Sequence, residues 1–157
     1  MAVVLIRIDD RLIHGQIIEG WLRVTKATQI VVVNDAAAGN EFQRALLALA
    51  TPQHTKLLVL KVNEAKDKIT AAMTDNERTI ILFSNPHDIL VLIRQGLVFE
   101  SINIGGLHQM PDKTALLPVL WVSPADIAAL TAIAKSGVKL DFRPLPTDER
   151  IDLSQLI

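Results

Sequence analysis

The sequence predicts a single-domain α/β fold, a mostly parallel open sheet of about seven strands with helices on both faces. Two observations carry that expectation. Short Val-, Ile- and Leu-rich runs alternate with segments of helical periodicity from one end of the chain to the other. Most of those runs are continuously apolar rather than alternating with polar residues, as strands covered on both faces must be. With 157 residues, 50% of them hydrophobic and 21% charged, the chain can fill one core and is too short for two ordinary domains, so residues 1–157 are read as one unit.

Taken in order, an apolar run begins at Ala2 within a first strand expected over Val3 to Ile8, and an amphipathic helix follows from Gly15 to Arg23. Ile30 to Asn34 reads as the second strand, Asp35 to Gly39 as a surface connection, and Asn40 to Ala50 as a helix. Lys56 to Val62 and Thr79 to Ser84 are strands flanking a helix over Asn63 to Met73. Asn85 before Pro86, and Ser123 before Pro124, each place a capping side chain ahead of a proline at the first helical position, opening helices to Gln95 and Lys135. Gly96 and Gly137 suit the left-handed residue beyond a helix end. Strands are expected at Ser101 to Ile104, Leu117 to Val122 and Val138 to Arg143. Leu107 to Ala115 has no helical period, which leaves room for a hairpin connection and an antiparallel strand after it. Leu145 to Arg150 is a connection, and the amphipathic tail Ile151 to Ile157 is expected on a sheet edge.

Composition excludes several function classes. With 16 basic and 17 acidic residues, a net charge of -1 and only 4% aromatics, the chain lacks the basic clusters and stacking groups of a nucleic-acid binder. The absence of cysteine removes thiol chemistry and disulfides. Four histidines without ligand spacing argue for no metal, and His54, His87 and His108 read as surface residues. No leader-like start and no apolar stretch of about 18 residues is present, so a cytoplasmic protein is expected. Trp21 and Trp121 read as core or interface residues, and Trp21 leaves room for a homodimer. Arg143 is expected to pair with a nearby acid.

The chemistry concentrates in Ile8 to Gln16, the first strand-to-helix turn, where parallel sheets collect ligands. His14 is the candidate nucleophile: one imidazole nitrogen can attack phosphorus while the other is oriented by a neighbour. Arg11 offers a planar fork for phosphate oxygens, and the helix opening at Gly15 offers backbone donors, with glycine permitting positive φ or close approach. Asp9 or Asp10 is placed to orient the ring or Arg11. Asn34, Asp35 and Ser84 end neighbouring strands on the same rim and are candidates for lining the site. Helix capping and solvated charge explain the same residues without any chemistry, and both accounts stand at this level. No dinucleotide, Walker A, serine-hydrolase or zincin motif is present, and no cofactor is implied.

Residues Arg7 to Gln16 resemble the active-site signature of the IIB components of the mannose/fructose/sorbose class of the bacterial phosphoenolpyruvate-dependent sugar phosphotransferase system. Val32 to Asp35, Leu82 to Asp88, Ile102 to Leu107, Lys135 to Val138 and Pro146 to Asp148 match further segments in the same order. The chain departs from the family where Leu107 stands for Met and His108 to Lys113 follow. The resemblance implies a mainly parallel α/β fold and a protein-Npi-phosphohistidine-sugar phosphotransferase. In it His14 takes a phosphoryl group from a IIA component and passes it to a sugar at the membrane IIC/IID components. Arg11 would neutralise the phosphate, with Asp10 in the same loop, and the protein would sit in the cytoplasm, peripheral to the permease. Histidine-using members of the system lack the cysteine of other IIB classes. No IIA segment precedes Met1, so IIA is expected as a separate chain. A regulatory module whose His14 phosphorylation signals without transport, and more remotely a metal-dependent hydrolase, are the rival readings.

Overall fold

The computed structural model describes residues 3–157; Met1 and Ala2, and with them the expected start of the apolar run at Ala2, lie outside the described residues. Nine strands are formed: β1 (Val3–Asp9), β2 (Gln29–Val33), β3 (Lys56–Leu60), β4 (Thr79–Phe83), β5 (Ser101–Gly106), β6 (Thr114–Leu117), β7 (Leu120–Val122), β8 (Lys139–Phe142) and β9 (Ile151–Asp152). Seven make one sheet in the order β3-β2-β4-β1-β5-β8-β9. Its first six strands run parallel and β9 joins β8 antiparallel. β1 is therefore central, bonded to β4 on one side and β5 on the other. Because the six strands run one way, the turns after β1, β2, β4 and β5 all open on one rim.

The helices are α1 (Leu22–Thr25), α2 (Asp35–Ala38), α3 (Glu41–Ala50), α4 (Val62–Thr74), α5 (Pro86–Arg94) and α6 (Pro124–Lys135). Their ends follow the expected local chemistry. Asn85 Oδ1 accepts the Asp88 amide ahead of Pro86, and Ser123 and Asp126 form a reciprocal capping box. Gly96 and Gly137 adopt φ values of 104° and 96°, beyond α5 and α6, where a Cβ would be strained.

Both sheet faces are covered, which explains the unbroken apolar strands. Ile81, Phe83, Ile102 and Ile104 pack against Ile69 of α4, Ile89 and Leu92 of α5, and Leu130 and Ile133 of α6. Ile30, Val32, Ile80 and Leu82 face the opposite way, onto Ile13, Ile17 and Trp21, with Leu47 of α3 partly buried beside them. Each such side chain contributes about 1.5–3 kcal/mol when taken fully out of water. Trp21 belongs to this interior at 6% exposure, so it is not available to a second copy of the chain.

Four expectations change in detail. The run Leu117 to Val122 is not a sheet strand: Pro118 and Val119 turn it back, and β6 and β7 form a separate antiparallel hairpin. Proline presets the first corner of the turn and Val119 takes the second at φ 58°, rare for a β-branched residue and held by the Leu107 amide on the Val119 carbonyl. The seventh strand comes instead from the tail, whose Leu153 is fully buried at the sheet edge. The Asp35 to Gly39 connection contains the short helix α2, capped by the Asn34 side chain. The first helix begins as a π-turn, Gln16–Trp21, before becoming α1.

Candidate active site

Asp9 ends β1 at the rim, and Arg7, two residues earlier, projects on the same face. Both side chains are fully enclosed, at 0% exposure. Asp9 Oδ2 accepts from Arg7 Nη2 at 2.9 Å, Arg11 Nη2 at 3.0 Å and His14 Nε2 at 3.0 Å. Its Oδ1 accepts from the Arg11 amide and Arg11 Nε, both at 3.1 Å. Burial alone would raise the pKa of Asp9. Hydrogen bonds from His14 and Arg11, with the charge of Arg7, outweigh it and hold the carboxyl well below the usual carboxylate range.

Arg7 is fixed in turn. Its Nη1 donates to Asn103 Oδ1 at 2.7 Å and to the carbonyls of Pro144 and Arg143 at 3.0 and 3.2 Å, and its Nη2 also reaches Gln16 Oε1 at 3.0 Å. Nε has no partner. Burial pushes its pKa down and Asp9 opposes that, so a guanidinium, which does not deprotonate in proteins, stays charged beside its carboxylate. Space for it exists because residue 105 is glycine: a Cβ there would overlap the Arg7 guanidinium. The guanidinium carbons of Arg7 and Arg143 both lie over the Trp21 ring, 5.7 and 5.4 Å from its centroid. Arg143 does not take the expected acidic partner; it donates to the carbonyls of Asp148 and Pro146.

His14 is 16% exposed and Arg11 36% exposed, so both reach the rim. A carboxylate only accepts and a backbone amide only donates. The Asp9 contact therefore assigns the ring proton to Nε2, and the Gln16 amide, 3.4 Å from Nδ1, faces a lone pair. Arg11 Nη2 also donates to Gln16 Oε1 at 2.9 Å, while its Nη1 has no partner among the described residues. Gly15 is not the left-handed residue of the turn: its φ of -53° is ordinary helix, and a Cβ there would meet nothing within 4 Å. Leu12 takes that conformation instead, at φ 57°, with its amide on the Asp9 carbonyl.

The site thus gathers Asp9, Arg11, His14 and the helix start at Gly15. Asp10 turns away, accepting the His108 amide at 2.7 Å and His108 Nδ1 at 2.5 Å. Asn34, Asp35 and Ser84 form a neighbouring group: Asn34 Nδ2 donates to Ser84 Oγ at 2.7 Å, and Asp35 accepts the Val62 amide. They have no bond to the Asp9 cluster. Sequence reasoning assigns no role to Arg7, Gln16, Asn103 or His108. A lone arginine inside a Val/Ile strand is a usable signal for Arg7, since such a charge is buried only with partners. A cavity of about 720 Å³ lies elsewhere, against Val3 to Ile6 and Ser101 to Asn103, and none of Asp9, Arg11 or His14 lines it.

Residues 3–157 match the family described as "PTS system sorbose subfamily IIB component". A sorbose-specific EIIB component of Klebsiella pneumoniae is 37% identical, covering 98% of this chain and 93% of that protein. A fructose-specific EIIB component of Bacillus subtilis is 33% identical over 100% of this chain and 96% of its own length. The solved IIBSor domain of the Klebsiella pneumoniae sorbose permease superposes with a TM-score of 0.91 at 36% identity, over 99% of this chain and 96% of that one.

Two outcomes follow from the enclosed Arg7–Asp9 pair. Gly105→Ala is expected to cost roughly 1–3 kcal/mol, the scale of forced overpacking, and to move the His14 ring signals in NMR spectra. An unchanged urea midpoint with those signals in place would refute the fit. Because the pKa of Asp9 is depressed on folding, its contribution is complete above about pH 5 and is lost as pH falls through the folded value. Asp9→Asn should therefore flatten the acid side of the stability curve; a slope equal to that of the unaltered chain would remove Asp9 from acid unfolding.

Proposed function

Since the chain belongs to the sorbose subfamily of phosphotransferase-system IIB components, and is thereby a phosphoryl carrier among sugar phosphotransferases, we propose that His14 carries the group. Its donor is a phosphohistidine of a IIA component, and its acceptor is a hexose held by the membrane IIC/IID components. The observation that carries this reading is the orientation of the imidazole: Nε2 is committed to an enclosed carboxylate, and Nδ1 carries the lone pair, met at 3.4 Å by the Gln16 amide.

In this reading Nδ1 attacks phosphorus in line. The N–P bond of the donor breaks as the new one forms, and its electron pair returns to the donor imidazole. Asp9 stabilises the positive charge that the His14 ring gains. Arg7 and Arg11 set two guanidinium charges against one carboxylate, so the site holds one positive charge in excess before phosphate arrives. Arg11 faces the phosphoryl oxygens with its unpartnered Nη1, and the open space at Gly15 admits them beside the helix start. Catalysis is then positioning and electrostatic stabilisation, which is most of what phosphoryl transfer asks of a protein. Asn34, Asp35 and Ser84 fall within the partner's footprint on the same rim.

No described helix is long and apolar enough to cross a membrane. The proposed location is the cytoplasm, with peripheral attachment to the permease. The relatives are named for sorbose and for fructose at similar identity, which supports a hexose and leaves its identity to the membrane partners.

His14→Gln is expected to abolish labelling by IIA and phosphoenolpyruvate; a variant that still takes label rejects the assignment. Arg11→Ala should slow transfer roughly 10²-fold, the effect of losing one preorganised electrostatic donor, as read by single-turnover labelling. An unchanged rate would take Arg11 out of the mechanism.

A further inference from the structure

Asp9 and Asp10 are consecutive, and each holds an imidazole: His14 on Asp9 at 3.0 Å, and His108, from the β5–β6 loop, on Asp10 at 2.5 Å. The two pairs are turned oppositely. His14 gives Nε2 to its carboxylate and leaves Nδ1 to the Gln16 amide at 3.4 Å, whereas His108 gives Nδ1 to its carboxylate and turns Nε2 away from it. The His108 ring is 44% exposed, so Nε2 is open to a ligand.

Arg11 links the two pairs. The position a Cβ would occupy on Gly106 lies 3.8 Å from Arg11 Nη2 and 3.7 Å from His108 Cε1, the ring carbon adjoining Nε2. The guanidinium and the imidazole therefore flank the same stretch of backbone at Gly106, where the Val119 carbonyl closes in at 3.2 Å from that Cβ position, and Arg11 is also bonded to the carboxylate that orients His14. Pinning the β5–β6 loop does not require the ring. The Asp10 amide on the Gly106 carbonyl and the His108 amide on Asp10 Oδ2 do that with backbone donors alone.

We propose that His108 is a second phosphoryl-binding group: its Nε2–H, beside Arg11, donates to the oxygens of the phosphoryl group on its way to His14, and Asp10 holds the ring for that purpose. The proposal rests on His14 as the phosphoryl acceptor. The charged groups facing the ring are Asp10 and, across Gly106, Arg11, while the Val119 carbonyl bounds the same space. Protonated, His108 cancels the charge of Asp10 and presents a donor. Deprotonated, its remaining proton stays on Nδ1 against Asp10, Nε2 presents a lone pair, and the pair carries a net negative charge that repels phosphate. The charge on the ring thus decides whether the pair attracts or repels the phosphoryl group.

The test is the rate of transfer from phosphorylated IIA to the full chain, with each variant compared under the same donor. His108→Ala keeps the backbone bond to Asp10 and loses only the ring. It should be roughly tenfold slower, less than for an enclosed donor because the ring is half open to water. His108→Arg should restore the rate. Wild-type rates in His108→Ala would overturn the proposal. So would a slow His108→Ala that His108→Arg does not rescue, the behaviour of a purely structural residue. If the unaltered chain takes no label on His14, both this proposal and the carrier reading fall; if it does and the variants match it, only this one does.

Discussion

A carboxylate fully removed from water, with two guanidiniums and an imidazole on it, is the constraint from which the rest of the site follows. An ion as enclosed as Asp9 would cost several kcal/mol without partners, and the partners must come from fixed directions. Arg7 arrives along β1, Arg11 and His14 from the turn after it, and Asn103 and the Pro144 carbonyl hold Arg7 from the ends of β5 and β8. β1 lies between β4 and β5, and the outside bracing of Arg7 comes from the β5 and β8 side of the sheet. Removing any one partner leaves a buried charge short of a bond, so the parts hold one another in place.

In the role proposed for His14, that arrangement resolves two opposed demands on a carrier. Its acceptor atom must be rigidly aimed, and the group it accepts must be able to leave. The buried half of the cluster supplies rigidity: Arg7 and Asp9 are sealed, and Asp9 fixes the tautomer and tilt of His14. The exposed half supplies reversibility, since Arg11 is over a third open to water and its attraction for a phosphate is screened accordingly. A phosphate trapped by two enclosed guanidiniums would be bound tightly and transferred slowly; here one guanidinium is committed to the carboxylate and the other meets the solvent.

Much of the fold and the heart of the site are legible in the order of the residues. The continuous apolar strands, the Asn85–Pro86 and Ser123–Pro124 openings and the glycines after α5 and α6 are local signals, and local signals settle local structure. Arg11 and His14 are singled out by the resemblance of their turn to the family signature, since capping and solvated charge account for its composition equally well. What the sequence hides is set by distant partners. Leu117 to Val122 has the composition of a buried strand, and only Pro118, which has no amide to donate, marks the reversal. Arg7 needs the absence of a Cβ at Gly105, nearly a hundred residues away, and His108 needs Asp10 at a similar separation. Leu12 takes the left-handed position that composition assigns to Gly15, because the turn closes on the Asp9 carbonyl three residues back.

The two glycines ending β5 show how little sequence the site requires beyond its charges. Gly105 and Gly106 are adjacent, so their missing side chains face opposite ways along the strand. The first absence admits the Arg7 guanidinium beside the Asp9 to His14 turn; the second lies between the Val119 carbonyl, Arg11 and His108. One vacancy is filled by the Arg7 guanidinium, and the other is crowded by the Val119 carbonyl and edged by Arg11 and His108. The β1–β5 register shifts at this point, between Ile8 and Asp9, so Asp9 pairs with Gly106 rather than Gly105. That offset of one residue brings the end of the strand under both aspartates at once, and it lets two consecutive carboxylates orient two imidazoles toward the same rim.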